Sequence, residues 1–198
     1  MSQPLPQVFI ARHGETEWSL SGQHTGLTDL PLTPRGERNA RALCARLAGI
    51  AFDHVFTSPL QRARRTCELA GFGGRAAIDN DLVEWNYGQY EGRTTADIHK
   101  ERPGWEIFRD GCSGGESVAE ITARADRVVS RLRQLGGKVL LFSSAHFLRV
   151  FAPRWCGLDV TFGKFLHLDT ATVSVVGYNH NQNEPAICLW NDGRHVVD

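Results

Sequence analysis

Lysine is scarce in this chain: it occurs only at positions 100, 138 and 164, and the other basic residues are all arginine. Basic and acidic residues balance at 22 each, so no charge excess marks a nucleic-acid or membrane-surface partner. Most of the arginines are expected on solvated helix faces, yet arginine is also the better bidentate ligand for phosphate. Cysteine is sparse: residues 44, 67, 112, 156 and 188 are odd in number, far apart and without a Cys-x-x-Cys pair. That argues against a disulfide framework or a zinc site and for reduced, packed thiols in a cytoplasmic protein. The N-terminal Met-Ser-Gln-Pro-Leu-Pro-Gln has neither a basic start nor a long apolar run, so no signal peptide is expected. No apolar stretch approaches the length of a membrane-spanning helix, and repeats and low-complexity segments are lacking. The length, 198 residues, suits one domain spanning 1–198, large enough to bury about 70% of its unfolded surface.

What is present alternates strand and helix signals. Val8-Phe9-Ile10-Ala11 reads as a short buried strand that stops at Arg12-His13-Gly14. A polar loop, Ser19 to Leu32, follows. Thr33 as N-cap with Pro34 at N1 opens a helix through Ala48. Phe52 to Thr57 reads as a second strand, and Ser58-Pro59 as the cap of a helix to about Ala70. Ala76 to Ile78 is a short third strand. Residues 85–115, rich in glycine and aromatics, are expected as a lid or pocket wall, with Trp105, Phe108 and Arg109 as candidates for substrate selection. Ser117-Val-Ala-Glu120 is a capping box for a helix to Leu135, and Lys138 to Phe142 is a fourth strand ending in a polar loop, Ser143 to His146. A helix from about Phe147 to Cys156 and strands at Phe165–Leu168, Ser174–Tyr178 and Ala186–Trp190 complete the chain. The expected fold class is α/β: a three-layer α/β/α sandwich with a mostly parallel central sheet and an antiparallel edge.

Open α/β sheets bind ligands at the carboxyl ends of their strands, which is where Arg12 and His13 fall. An imidazole beside a guanidinium there suggests a histidine nucleophile facing a bidentately held phosphate, with Gly14 letting the backbone approach the ligand. Arg62 lies in a helix's first turn after the second strand, where helix N-terminus and guanidinium both favour an anion. Glu84, in Leu-Val-Glu-Trp-Asn-Tyr, has apolar neighbours that suit it to proton donation.

Five stretches occur in a shared order and spacing: Arg12-His-Gly-Glu-Thr16, Thr25-Gly-Leu-Thr-Asp29, Leu32-Thr-Pro-Arg-Gly-Glu37, Ser58-Pro-Leu-Gln-Arg-Ala63 and Glu84-Trp-Asn-Tyr-Gly88. In these the chain resembles the histidine phosphatase (phosphoglycerate mutase-like) superfamily over nearly its whole length. Gly22 to Pro34, the Gly-Gln-Tyr-Glu-Gly ending at Gly92 and Arg109-Asp-Gly-Cys112 look most like the sedoheptulose-1,7-bisphosphatase type. The resemblance implies a phosphoglycerate mutase-like fold and a phosphatase of small phosphorylated sugars that needs no metal or other cofactor. By it, His13 takes the phosphoryl group, Arg12 and Arg62 clamp its oxygens, and Glu84 protonates the leaving alkoxide and then activates water. Ser19, His24, Thr25, Gly26 and Tyr87 match or adjoin substrate-contacting positions, and Arg149 suits a second phosphate. The expected partner is a small phosphorylated metabolite; the oligomeric state stays open, a homo-oligomer included.

One departure stands out. The family's second catalytic histidine, in a His-Gly-x-x-Leu-Arg-like motif, falls at Ser144 here, with Ala145 for the glycine and His146 two residues on. Three readings follow: His146 serves as the missing donor, Ser144 supplies a weaker hydrogen bond, or turnover is impaired. The first is the expectation, with His146 as a catalytic residue and Ser144 on the phosphate. Two other activities stay open: a mutase returning the phosphoryl group to its product, and a phosphometabolite-binding protein.

Overall fold

The structure, a computed structural model, describes residues 5–196. Strand β1 (Gln7–Arg12) leads through helix α1 (Glu17–Ser21) to α2 (Pro34–Leu47), then β2 (His54–Thr57), α3 (Gln61–Leu69) and β3 (Ala77–Ile78). Helices α4 (Thr95–Glu101), α5 (Ile107–Asp110) and α6 (Val118–Leu135) precede β4 (Lys138–Ser143) and α7 (Ala145–Trp155). Strands β5 (Val173–Tyr178) and β6 (Pro185–Asp192) close the chain. The sheet order is β3-β2-β4-β1-β5-β6. The first four strands run parallel, while β5 and β6 form the antiparallel edge.

Alternation along β1 divides the core into two layers. Val8 and Ile10, with Val139 and Leu141 of β4, pack under residues of α6 and α7 such as Val128, Leu132, Phe147 and Phe151. Phe9 and Ala11, with Leu140 and Phe142, face Leu43 and Leu47 of α2 and Ala63 and Cys67 of α3. A two-residue repeat with both faces apolar requires helices on both sides of the sheet, so the architecture is the mostly parallel α/β sandwich with an antiparallel edge.

Several local signals act as expected. Thr33 caps α2 by accepting from the Gly36 amide, and Ser117 with Glu120 forms the capping box of α6. Four expectations are corrected. Inside the expected 19–32 loop lies the end of α1, capped by Thr16 with Ser19 and closed by Gly22 at φ 78°. Ser58 does not cap α3: the helix starts at Gln61, whose amide donates to the Asp29 carboxylate from a remote loop (2.8 Å). Helix α7 begins at Ala145, two residues before Phe147, with Ser144 in the N-cap position. The strand expected at Phe165–Leu168 is absent; a 3₁₀ stretch, Val160–Phe165, stands before an irregular turn. The cause is that side chains take the carbonyls a ladder would need. Arg12 Nη1 donates to Leu168 O (2.6 Å), and Trp190 Nε1 donates to His167 O (2.5 Å).

Gly14 also has a different reason from the expected one. A Cβ there would sit 2.6 Å from Gly36 O, and one on Gly36 would meet Glu15 O at 2.2 Å. The two glycines let the turn after β1 lie directly against the first turn of α2.

Candidate functional site

The carboxyl ends of β1 and β4 and the loops above them enclose a cleft of about 220 Å³. Of the expected site residues, Arg12, His13, Ser19, His24, Thr25, Glu84, Tyr87, His146 and Arg149 line it. Arg62, Gly26 and Ser144 lie behind its wall. Trp18, Gln23, His167 and Leu168 also line the cleft and were missed in sequence. His167 was hidden inside the segment read as a strand.

His13 is 3% exposed and fixed from three sides. Its amide donates to Ser143 O of β4 (2.9 Å), and its carbonyl accepts from Ala171 N (3.1 Å). Its Nδ1–H donates to Gly14 O (2.7 Å), which leaves the Nε2 lone pair as the reactive one. Burial, with Arg62 and Arg12 nearby, holds the imidazole well below its usual pKa, so the ring is neutral.

The two guanidiniums are held mainly by backbone carbonyls. Arg62, fully buried, donates through Nη1 to Thr28 O (2.9 Å) and through Nη2 to Thr25 O and Gly26 O (3.0 and 2.7 Å). Arg12 donates through Nη1 to Leu168 O (2.6 Å). In both, Nε is buried without a partner in the protein. A buried donor left unpaired costs about 1–3 kcal/mol, a cost the fold bears in holding each guanidinium in its place. Gly26 thus serves Arg62 through its carbonyl rather than lining the cleft. Its amide and that of Thr28 donate to Glu91 Oε1 (2.8 and 3.1 Å), which pins the 25–28 loop.

Glu84 does not rest on apolar side chains. Its Oε1 accepts from the amides of Trp85 (2.9 Å) and Phe147 (2.7 Å), and its Oε2 from that of His146 (3.0 Å). The carboxylate therefore sits on the N-terminus of α7, with Arg124 of α6 donating to the carbonyls of Asp81, Val83 and Glu84 beneath it.

His146 Nδ1 is 2.6 Å from Tyr87 Oη. Burial pushes the Tyr87 phenol well above its usual pKa, and burial with nearby Arg149 pushes His146 well below its own. With the phenol O–H donating to Nδ1, the His146 proton sits on Nε2. Ser144 is fully buried, its Oγ has no partner, and it provides no side-chain cap for α7. His24 lies against Tyr87 (ring centroids 4.8 Å apart) and is lowered by burial to about 4. Arg149 packs its guanidinium over the Phe108 ring at 4.8 Å. Ser19 spends its hydroxyl locally, donating to Thr16 O and accepting from Thr16 N. Trp105 and Phe108 are buried behind His24 and His146, while exposed Arg109 donates to Asp110 and Gly104 O. Among the described residues no group of His, Cys, Asp or Glu is placed to hold a metal ion, and no helix is long and apolar enough to cross a membrane.

A neutral imidazole with a free Nε2, two guanidiniums and a carboxylate lining one small cleft, with the Arg62 guanidinium behind its wall, can hold a phosphomonoester against a nitrogen nucleophile. Residues 8–193 match the model of the histidine phosphatase superfamily, branch 1, and the chain belongs to that family. It is 40% identical over 193 residues to the sedoheptulose 1,7-bisphosphatase of Saccharomyces cerevisiae, covering 81% of this chain and 71% of that one. It is 36% identical over 185 residues to an acid phosphatase of Mycobacterium tuberculosis, covering 91% of each. Its fold superposes on the solved structure of the Rv3214 open reading frame of Mycobacterium tuberculosis with a TM-score of 0.89 at 34% identity, over 95% of this chain and 98% of that one. The protein is a phosphate-ester-hydrolysing enzyme of this family.

Proposed function

We propose that the protein hydrolyses small sugar phosphates, a sugar bisphosphate among them, in two steps through a phosphohistidine at His13. The reading rests above all on His13 Nε2, neutral and unblocked, between two buried guanidiniums with unpartnered Nε donors. In the first step the Nε2 lone pair attacks phosphorus. The P–O bond to the sugar breaks, and the alkoxide takes the proton of Glu84. In the second, Glu84 accepts a proton from water as its oxygen displaces Nε2, releasing inorganic phosphate and restoring neutral His13. Arg12 and Arg62 neutralise the equatorial oxygens, and the rate comes from their positioning. His146 replaces the family's second histidine as a donor to the phosphoryl group, its tautomer set by Tyr87, while Ser144, closed off behind the cleft wall, makes no bond to the phosphate.

The cleft, about 220 Å³, lies below the roughly 300–1,000 Å³ typical of drug-sized ligands and suits a small metabolite. Arg149 provides charge for a second anionic group, and His24 contacts the distal part of the substrate. Hydrolysis over many turnovers, measured by phosphate release from sugar mono- and bisphosphates, tests the reading together with acid-labile phosphate trapped on the protein. Wild-type trapping that His13→Ala abolishes is the expected result. Release of less than one phosphate per protein, or trapping that survives His13→Ala, overturns it.

A further inference from the structure

Strand β6 carries two extra residues against β5: Val173 pairs with Asp192, but Val175 pairs with Leu189 and Val176 with Ile187. A bulge bends a strand and re-aims a side chain. At the first of these bulges Asn191 adopts φ 55°, and its amide donates to the buried Ser174 Oγ (2.9 Å). Asparagine is among the few residues that take this left-handed conformation at low cost. Its side chain is thereby turned toward the 167–171 turn, where it makes a paired contact with one residue. Asp169 N–H donates to Asn191 Oδ1 (2.8 Å), and Asn191 Nδ2 donates to Asp169 Oδ2 (2.9 Å). Trp190, one residue back, donates from Nε1 to His167 O (2.5 Å). Between these two clamped residues lies Leu168, whose carbonyl receives the Arg12 guanidinium. Three residues on, Ala171, itself at φ 56°, donates its amide to His13 O.

We propose that Asn191 is a positioning residue of the phosphate site, acting through Asp169 and the Leu168 carbonyl to fix the Arg12 guanidinium beside His13. The far end of the turn is held by the Ala171 amide on His13 O and by the Thr172 hydroxyl on Asp169 O (2.9 Å), while on either side of the Leu168 carbonyl Trp190 and Asn191 supply the bonds that set its direction. Arg12 has no partner on Nε and relies on that carbonyl for its orientation. A displacement of about 1 Å in a charge-clamping group can cost on the order of 100-fold in rate. The inference rests on the reading of Arg12 as a phosphate ligand, and the test separates the two.

The experiment is a double-mutant cycle with Arg12→Gln and Asn191→Gly, reading kcat, KM, inhibition by inorganic phosphate and Tm. Glycine keeps the left-handed backbone and removes both side-chain bonds. Asn191→Gly is expected to lower kcat/KM by about tenfold or more and to weaken phosphate inhibition, and to add nothing in the Arg12→Gln background. Asn191→Asp keeps the Oδ1 acceptor, sets a carboxylate against Asp169 and falls between; it carries the test if the glycine variant does not fold. Arg12→Gln at wild-type activity would remove the phosphate reading of Arg12 itself. Arg12→Gln impaired with Asn191→Gly at wild-type kcat/KM would overturn the positioning role alone. So would losses that simply add, because they would make Asn191 a general structural residue uncoupled from Arg12.

Discussion

Alanine at 146 and alanine at 144 make the sharpest comparison, because only one of these residues carries the donor if the site is read correctly. His146 lines the cleft, and Tyr87 leaves its proton on Nε2. Removing it deletes a preorganised donor to developing negative charge, which typically costs about 10²–10³ in kcat, or about 3–4 kcal/mol of barrier. It also strands the Tyr87 hydroxyl, so about 1 kcal/mol of stability goes with it, the low end because the cleft admits water. Ser144 is the reverse case. Its Oγ bonds to nothing in the protein, so Ser144→Ala relieves a buried unpaired hydroxyl and leaves stability unchanged or raises it by about 1 kcal/mol. Its rate loss is expected to stay within about tenfold, because the buried hydroxyl does not open on the cleft. Steady-state phosphate release, with Tm measured alongside, gives both numbers. Two small, equal rate losses would refute the assignment of His146, and a larger loss for Ser144→Ala would transfer the role to the serine.

Other perturbations reach the site indirectly. Arg124→Ala leaves the Glu116 carboxylate, now bound by Arg124 Nε and Nη2 at 2.8 and 2.7 Å, without its partner, and frees the 81–84 backbone under Glu84. A loss of about 3–5 kcal/mol follows, a fall in Tm of roughly 10 °C by calorimetry, with kcat reduced in step; an unchanged Tm would contradict it. Glu91→Ala removes both amide bonds of the 25–28 loop that cradles Arg62, so about 2–3 kcal/mol of stability and much of the inhibition by inorganic phosphate should go together. The pH dependence has a definite sign. His24 falls from 6.5 to about 4 on burial, so the unfolded chain binds more protons between those values and stability drops as pH is lowered through that window. The full effect is about 3 kcal/mol, visible as a declining urea midpoint below pH 6.5 and absent in His24→Gln. His13 of the free protein is shifted in the same direction, so kcat/KM should show no acid limb at the usual imidazole pKa beyond that of the substrate's own phosphate (pKa about 6); a second limb near 6.5 that persists with substrates of different phosphate pKa would show that the nucleophile is not the buried ring.

The residues that carry charge and reactivity were readable from the chain, and those that aim them were not. Arg12 and His13 close a short continuous apolar run that stops at Gly14, which reads as a buried strand, and Arg62 follows the next strand by five residues, so their place at the sheet's carboxyl edge follows from run length and order. The Ser117–Glu120 capping box and the Thr33-Pro34 pair announced α6 and α2 on either side. The exceptions share one cause. Asp29 capping α3, Glu91 holding the 25–28 loop and Asn191 pinning the 167–171 turn all act on backbone groups distant in sequence, and a backbone amide or carbonyl carries no residue signature. The same holds for the mistaken strand at Phe165–Leu168: its composition is strand-like, but Arg12 and Trp190 take carbonyls that a ladder would have used. Even Glu84 follows this logic, since its apolar neighbours in sequence point elsewhere and three amides meet it in space. Arg62 spends both terminal nitrogens on loop carbonyls and Arg12 spends Nη1, and each keeps Nε unpaired. A guanidinium held that way is already oriented before any anion arrives, and its direction depends on loops whose own anchors, Glu91 for Arg62 and Asn191 for Arg12, never touch the substrate. Selection on phosphate chemistry should therefore act on those anchors as strongly as on the arginines, and their removal should weaken phosphate binding before it unfolds the protein.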